Sequence, residues 1–209
     1  TYRGNDIGAI IWIAGNTRPD ISYAVSELSR YLENPGKAQI TALRRVYRYL
    51  KHTMTKSITY RRHRSDLQQS PVIEGWCDAD WGGDVDTYKS TTGYLYMMCG
   101  GPIAWKSKRQ STVALSSCEA EILALTLGTQ TAVWLRKLIK ETFNETVCIR
   151  IHEDNQSAIT ITNGGARYSA RTRHFGVRHF FARELVEQGQ IKLTYCQTAE
   201  MLADILTKA

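Results

Sequence analysis

A mixed α/β fold, a five-stranded sheet flanked by helices, is predicted by two observations. Three strand-like segments follow one another between residues 72 and 110, separated by a polar loop and a glycine turn. After residue 115 the apolar period changes to a helical one, and two further strand-like segments then alternate with helices. The residues before this block read mainly as helices and form a small N-terminal appendage.

Taken in order, Asn5 to Gly15 is a short apolar helix around Ile7, Ile10, Ile11 and Ile13. Thr17-Arg18-Pro19-Asp20 is a turn, and Ile21, Val25, Leu28 and Leu32 give helical spacing up to the breaker Asn34-Pro35-Gly36. A third helix runs from Ala38 to His52, with Arg44, Arg45, Arg48 and Lys51 on a face away from its apolar stripe. Ser57 to Tyr60 reads as a strand, and the polar stretch that follows sets the expected boundary between 1–66 and 67–209. The stretch Trp76 to Trp81, entered through Pro71-Val72-Ile73 and cut off by Gly82-Gly83, Thr92 to Cys99 and Ile103 to Gln110 are the three strands of a meander, with Gly100-Gly101-Pro102 turning the second into the third. Ser116 and Ser117 cap a helix carrying Ile122, Leu123, Leu125 and Leu127, and a separate helix spans Thr131 to Phe143. Then come a strand (Val147 to His152), a short helix (Asn155 to Thr162), a helix (Thr172 to Gln188), a strand (Ile191 to Cys196) and a last helix (Glu200 to Thr207).

Composition narrows the function classes. No stretch approaches the roughly 18 uninterrupted apolar residues of a membrane helix, and no signal-peptide pattern opens the chain. It begins with Thr1 and not Met, which reads as a piece of a longer chain. The five cysteines occur singly, without zinc spacing, and read as reduced, buried thiols of an intracellular protein. The net charge of +7 is uneven: residues 1–66 hold twelve Lys/Arg against five Asp/Glu, while the remainder is balanced. That asymmetry points to a polyanion on the N-terminal side; a solvated helix surface is the alternative.

Four acids stand at the ends of predicted elements: Asp78 on the first strand, Glu121 one turn inside a helix, Asp154 after the fourth strand, and Asp204 in the final helix. Crevices form where strands end and helices start, and clustered carboxylates are the ligands that hard divalent cations require. A two-metal phosphodiester site uses one ion to activate water and the other to stabilise the leaving oxygen. Each acid taken singly reads better as a surface residue; four at equivalent topological places are the stronger signal.

The order Asp, Glu, Asp, Asp on first strand, first helix, fourth strand and last helix resembles the ribonuclease H fold. The wording is similar to copia-type LTR retrotransposon polyproteins. Arg18-Pro19-Asp20-Ile21-Ser22-Tyr23 and Arg48-Tyr49-Leu50-Lys51-His52 resemble the end of that family's reverse transcriptase. Asp78-Ala79-Asp80-Trp81-Gly82-Gly83, Lys89-Ser90-Thr91-Thr92-Gly93-Tyr94, Trp105-Lys106-Ser107-Lys108-Arg109-Gln110, Ser116-Ser117-Cys118-Glu119-Ala120-Glu121 and Ala203-Asp204-Ile205-Leu206-Thr207-Lys208 follow its nuclease domain.

The resemblance implies an RNase H-like sheet with a thumb-like tail over 1–66. It further implies a hydrolase that cuts the RNA strand of an RNA-DNA hybrid with two Mg²⁺ or Mn²⁺ ions, on Asp78, Glu121, Asp154 and Asp204. Asp80 and Glu119 match no ligand position. The implied partners are the hybrid and the upstream reverse transcriptase, and the implied setting is a cytoplasmic virus-like particle or the nucleus. Backbone contacts dominate such recognition, with Arg44, Arg45, Arg48, Lys51, Lys106, Lys108 and Arg109 as expected phosphate contacts and Asn155 and Gln156 as expected sugar contacts. The loop before Asp204 lacks the histidine many cellular ribonucleases H carry. His174 or His179 is an auxiliary candidate, against plain helix packing. The rival readings are a non-catalytic nucleic-acid-binding module of the same fold, which the intact acid set opposes, and an integrase, which would lack an acid at Asp204.

Overall fold

A computed structural model describes residues 4–61, 72–164 and 176–208, with backbone alone at 4–5 and 176–179. The N-terminal part contains α1 (Gly4–Asn16), a 3-10 turn (Pro19–Ile21), α2 (Ser22–Ser29) and α3 (Lys37–His52). The remainder holds β1 (Ile73–Asp80), β2 (Thr91–Met98), β3 (Gly101–Arg109), α4 (Ser117–Phe143), β4 (Ile149–Glu153), α5 (Gln156–Thr162), α6 (Gly176–Glu187) and β5 (Ile191–Tyr195). Two 3-10 segments, Thr198–Glu200 and Leu202–Leu206, close the chain.

The five strands form one sheet in the order β3-β2-β1-β4-β5. β1 to β3 are antiparallel, whereas β4 pairs parallel with β1 and β5 parallel with β4. This is the mixed five-stranded sheet with flanking helices expected from the sequence. β2 and β3 are joined through Cys99 and Gly100, both at positive φ, the backbone of a two-residue hairpin that matches strand twist.

The main core lies between the sheet and α4, with Cys77, Tyr94 and Tyr96 from the strands and Ile122, Leu125, Leu135 and Ile139 from the helix. α4 runs unbroken through residues 128–131, where the sequence suggested two helices. Gly128 explains this. A Cβ there would lie 2.3 Å from Cys77 Sγ, so glycine lets the helix settle on β1, and its carbonyl accepts from the Tyr96 hydroxyl at 2.8 Å. The glycine serves close packing, and burial outweighs its poor helix propensity.

Other expectations are corrected. α2 ends at Ser29, short of Leu32. Ser57 to Tyr60 is no strand; the segment runs past the β2–β3 turn, where Arg61 N–H donates to Cys99 O and the Tyr60 hydroxyl to Pro102 O. The last helix is 3-10 and short. Cys77 and Cys196 are buried, but Cys148 is exposed and Cys99 and Cys118 are half-buried; all five are free. The expected start of the helix at Thr172 lies outside the described residues.

The N-terminal helices share their own buried cluster of Ile7, Ile10, Ala14, Ile21, Val25, Leu28, Leu43 and Val46. They also dock on the sheet. The Trp105 indole on β3 donates to Ala14 O at 2.7 Å. Buried Asp84 takes Arg30 of the helical part at 2.6 Å and Arg109 of β3 at 2.7 Å on one carboxylate oxygen. Burial pushes the Asp84 carboxyl up, but Thr87, Arg30 and Arg109 outweigh it and hold the group well below the usual carboxylate range. Replacing Asp84 by Asn removes the counter-charge of two partly buried guanidinium groups. It should destabilise the protein by about 3 kcal/mol in urea melts, the usual effect of breaking a buried pair; a loss below about 0.5 kcal/mol would show the junction to be solvated.

Candidate active site

The parallel pairing of β1 and β4 sets the site. It brings the carboxyl ends of both strands to the same edge, and the register Trp76↔His152 makes Asp78 level with Asp154. Side chains two apart on a strand share a face, so Asp78 and Asp154 emerge beside the Trp76–His152 stack, whose ring centroids are 4.8 Å apart. Glu121 arrives from the start of α4. That start is fixed by Ser116, whose hydroxyl accepts from Glu119 N–H at 3.1 Å, and by Glu119, whose carboxylate accepts from Leu115 N–H at 2.6 Å. Glu119 is therefore a helix-capping residue. Glu121 in turn accepts from the backbone N–H of Ala79.

Asp78, Glu121 and Asp154 each present a carboxylate oxygen within 4.8 Å of the others. Asp78 and Glu121 are buried, and one Glu121 oxygen, Oε2, has no hydrogen-bond partner among the described residues. Hard oxygen donors, one of them unsatisfied, fit a divalent cation. The set is compatible with such an ion.

Asp204 is outside this three-residue set. It lies in the 3-10 segment Leu202–Leu206, and its Oδ1 is 2.9 Å from Lys208 Nζ. Its neighbour Thr207, fully buried, donates its hydroxyl to Asp78 Oδ2. That reach depends on Gly93, paired with Asp78 across β1 and β2: a Cβ at Gly93 would stand 2.7 Å from Thr207 Cγ2 and 3.0 Å from Ala203 O.

A fifth acid was not foreseen. Glu153 is fully buried; its Oε1 accepts from Asn155 N–H at 3.1 Å, and its Oε2 has no hydrogen-bond partner among the described residues. Its signal was present, since Ile149, Ile151 and Glu153 alternate on the inward face of β4. Burial first, then Asp154 and Asp78, push its carboxyl far up. Burial and then Glu153, Asp78 and Asp154 do the same to Glu121. Burial raises Asp78 to about 6, against the opposing Thr207 hydrogen bond and the charge of Lys208.

The remaining predicted contacts divide. Arg44, Arg45, Arg48 and Lys51 are exposed on α3, and Lys106 and Lys108 are exposed on β3. Arg109 is occupied by Asp84. The Asn155 side chain caps α5 by accepting from Ala158 N–H at 3.0 Å, while Gln156 is exposed. His174 lies outside the described residues, and of His179 only the backbone on α6 is described.

The raised carboxyls predict a pH dependence. Between the ordinary carboxylate value and about 6, folded Asp78 keeps a proton that the unfolded chain has lost, so the folded state is favoured as pH falls through that window; above about 6 the unrelieved charge costs stability. Glu121 and Glu153 act in the same direction. Asp84 acts oppositely: its depressed carboxyl contributes above the ordinary value and that contribution is lost at lower pH. Urea melts in chelator should therefore find greater stability near about pH 5 than near about pH 8. Stability rising steadily to pH 8 would contradict the repulsion among these acids.

No protein-family model matches the chain. The retrovirus-related Pol polyprotein from transposon TNT 1-94 of Nicotiana tabacum is 39% identical over 202 residues, 97% of this chain but only 15% of that polyprotein. Pol polyproteins of two Arabidopsis thaliana transposons also match along nearly all of it. A Plasmopara viticola protein named secreted RxLR effector protein 161 is 44% identical over 129 residues, 62% of this chain and 87% of that protein. Among solved structures, RNase H1 from Halobacterium salinarum overlaps 65% of this chain and 93% of its own at 18% identity, with a TM-score of 0.49. The chain's homologues are retrovirus-related Pol polyproteins of copia-type transposons, which it matches along nearly all of its own length while spanning only 14–15% of theirs.

Proposed function

We propose that the chain is a metal-dependent ribonuclease H that cuts the RNA strand of RNA-DNA hybrids during reverse transcription of a retrotransposon. The observation that carries this reading is the convergence of Asp78, Glu121 and Asp154 within 4.8 Å. Residues 67–209 form the nuclease in this reading, and 1–66 the end of the upstream reverse transcriptase.

Asp78, Glu121 and Asp154, joined by Asp204, are the residues that would hold Mg²⁺ or Mn²⁺, two ions in the full site. Such ions supply an activated water and charge stabilisation at the leaving oxygen. The chain's own part is positional. β1 and β4 hold two carboxylates level on a rigid sheet, and the capped start of α4 brings in the third. Thr207 fixes one oxygen of Asp78 and leaves the other, Oδ1, for a ligand. The half-exposed Trp81 ring, pinned by its indole N–H to Ala114 O at 3.0 Å, stands three residues beyond Asp78.

Discrimination of RNA from DNA rests on the 2′-OH and helix shape. Backbone attraction falls to the exposed cations Arg44, Arg45, Arg48, Lys51, Lys106 and Lys108, with Gln156 beside the site as the remaining candidate sugar contact.

Asp78→Asn tests the assignment. Removing one ligand charge should lower Mg²⁺-dependent cleavage of a labelled hybrid by at least about 100-fold, while the metal-free variant melts no lower because a repulsive buried charge is gone. Undiminished cutting by this variant would refute the site.

A further inference from the structure

Among the described residues, Lys208 is a cation that stands against the acid cluster. Lys208 Nζ is 2.9 Å from Asp204 Oδ1, and its charge acts on Asp78 and Asp154 as well. Its side chain is only half exposed. Its position is not that of a free surface lysine. Asp204 O accepts from both Thr207 N–H and Lys208 N–H, which closes the turn, and buried Thr207 anchors that turn to Asp78. The ammonium is thus delivered to the mouth of the cluster by a tethered backbone, and the two oxygens of Asp204 are not all free: one is spent on Lys208.

A divalent cation and an ammonium cannot both use that oxygen and that region of negative potential without repelling each other. We propose that Lys208 is the resident counter-cation of the acid cluster, a positioning residue that holds Asp204 in the metal-free protein and must release it before Asp204 can serve an ion. This rests on the metal-site reading above and goes beyond it. It makes metal loading a cation exchange, in which an internal monovalent charge is displaced by a divalent one. Such exchange lowers repulsion among the acids when no metal is present, and it sets a threshold against loose metal binding.

The test is calorimetric titration of Mn²⁺ into the whole chain at low salt, without nucleic acid, comparing wild type with Lys208→Met and Lys208→Arg. Methionine keeps the stem and removes the competitor, so Mn²⁺ should bind about two- to fivefold tighter, the scale of one half-exposed ion pair. In chelator the same variant should melt lower than wild type, and its Mn²⁺-induced rise in melting temperature should be larger. Arginine keeps the charge and should restore wild-type affinity. Equal Mn²⁺ affinity in the wild type and the methionine variant would overturn the counter-cation role while leaving the metal site intact. Weaker Mn²⁺ binding in the methionine variant would also overturn it, since Lys208 would then support the ion. Failure of every protein to bind Mn²⁺ would instead overturn the metal-site reading itself.

Discussion

Confinement of like charge is the constraint on which the structure depends. Asp78, Glu121 and Asp154 meet within 4.8 Å of one another, the first two buried and Asp154 half-buried, and Glu153 next to Asp154 is fully buried. Carboxylates so placed repel and lose hydration, and only a stiff frame holds them together. The frame is the central pair β1 and β4, each flanked by strands on both sides, with α4 packed across them. Two glycines allow that packing on opposite faces: Gly128 brings α4 onto Cys77, and Gly93 brings Thr207 onto Asp78. Without either close approach, one acid-bearing segment would stand off from the others.

The charge is met locally by different means on different acids. Asp78 has a hydroxyl from Thr207, Glu121 a backbone N–H from Ala79, Glu153 a backbone N–H from Asn155, and Asp204 an ammonium from Lys208. Asp154 accepts from the Thr198 hydroxyl at 2.7 Å. Among the described residues these donors are few for groups that can each accept several hydrogen bonds, and one oxygen each of Glu121 and Glu153 has no partner. The cluster is therefore under-satisfied, which a structural network would not be. Strongly raised, incompletely hydrogen-bonded carboxyls of this kind are a common feature of functional sites.

Much of this was legible in the sequence because strand alternation and the position of acids at element ends depend on local pattern. Asp78, Glu121 and Asp154 were found in that way, and the sheet's five strands fell within a few residues of their places. What could not be read depends on distant contacts. Gly128 looked like a break between helices because its partner, Cys77, lies some fifty residues earlier. Arg109 looked like a free phosphate contact because nothing local shows that Asp84 holds it. Asn155 looked free for sugar because a capping role and a binding role use the same amide oxygen. Glu153 was missed although its alternation with Ile149 and Ile151 pointed inward, because a charged residue beside a better candidate reads as surface.

The helical part shows how charge counting and structure differ. Its excess of Lys/Arg suggested a polyanion on the N-terminal side. Yet Arg30 is spent on Asp84 and Glu27, and Arg18 on Asp20 with Tyr49 close by. Two of the cations counted there are thus internal ties, one of them to the sheet. Arg44, Arg45, Arg48 and Lys51 remain exposed on α3, on a body fastened to β3 through Trp105 and Asp84. A basic surface fixed to the sheet adds direction to its attraction, because its distance from the acids does not vary as it would on a flexible arm. The position of that surface relative to Asp78 and Asp154 is held in part by the buried pairing of Asp84 with two arginines.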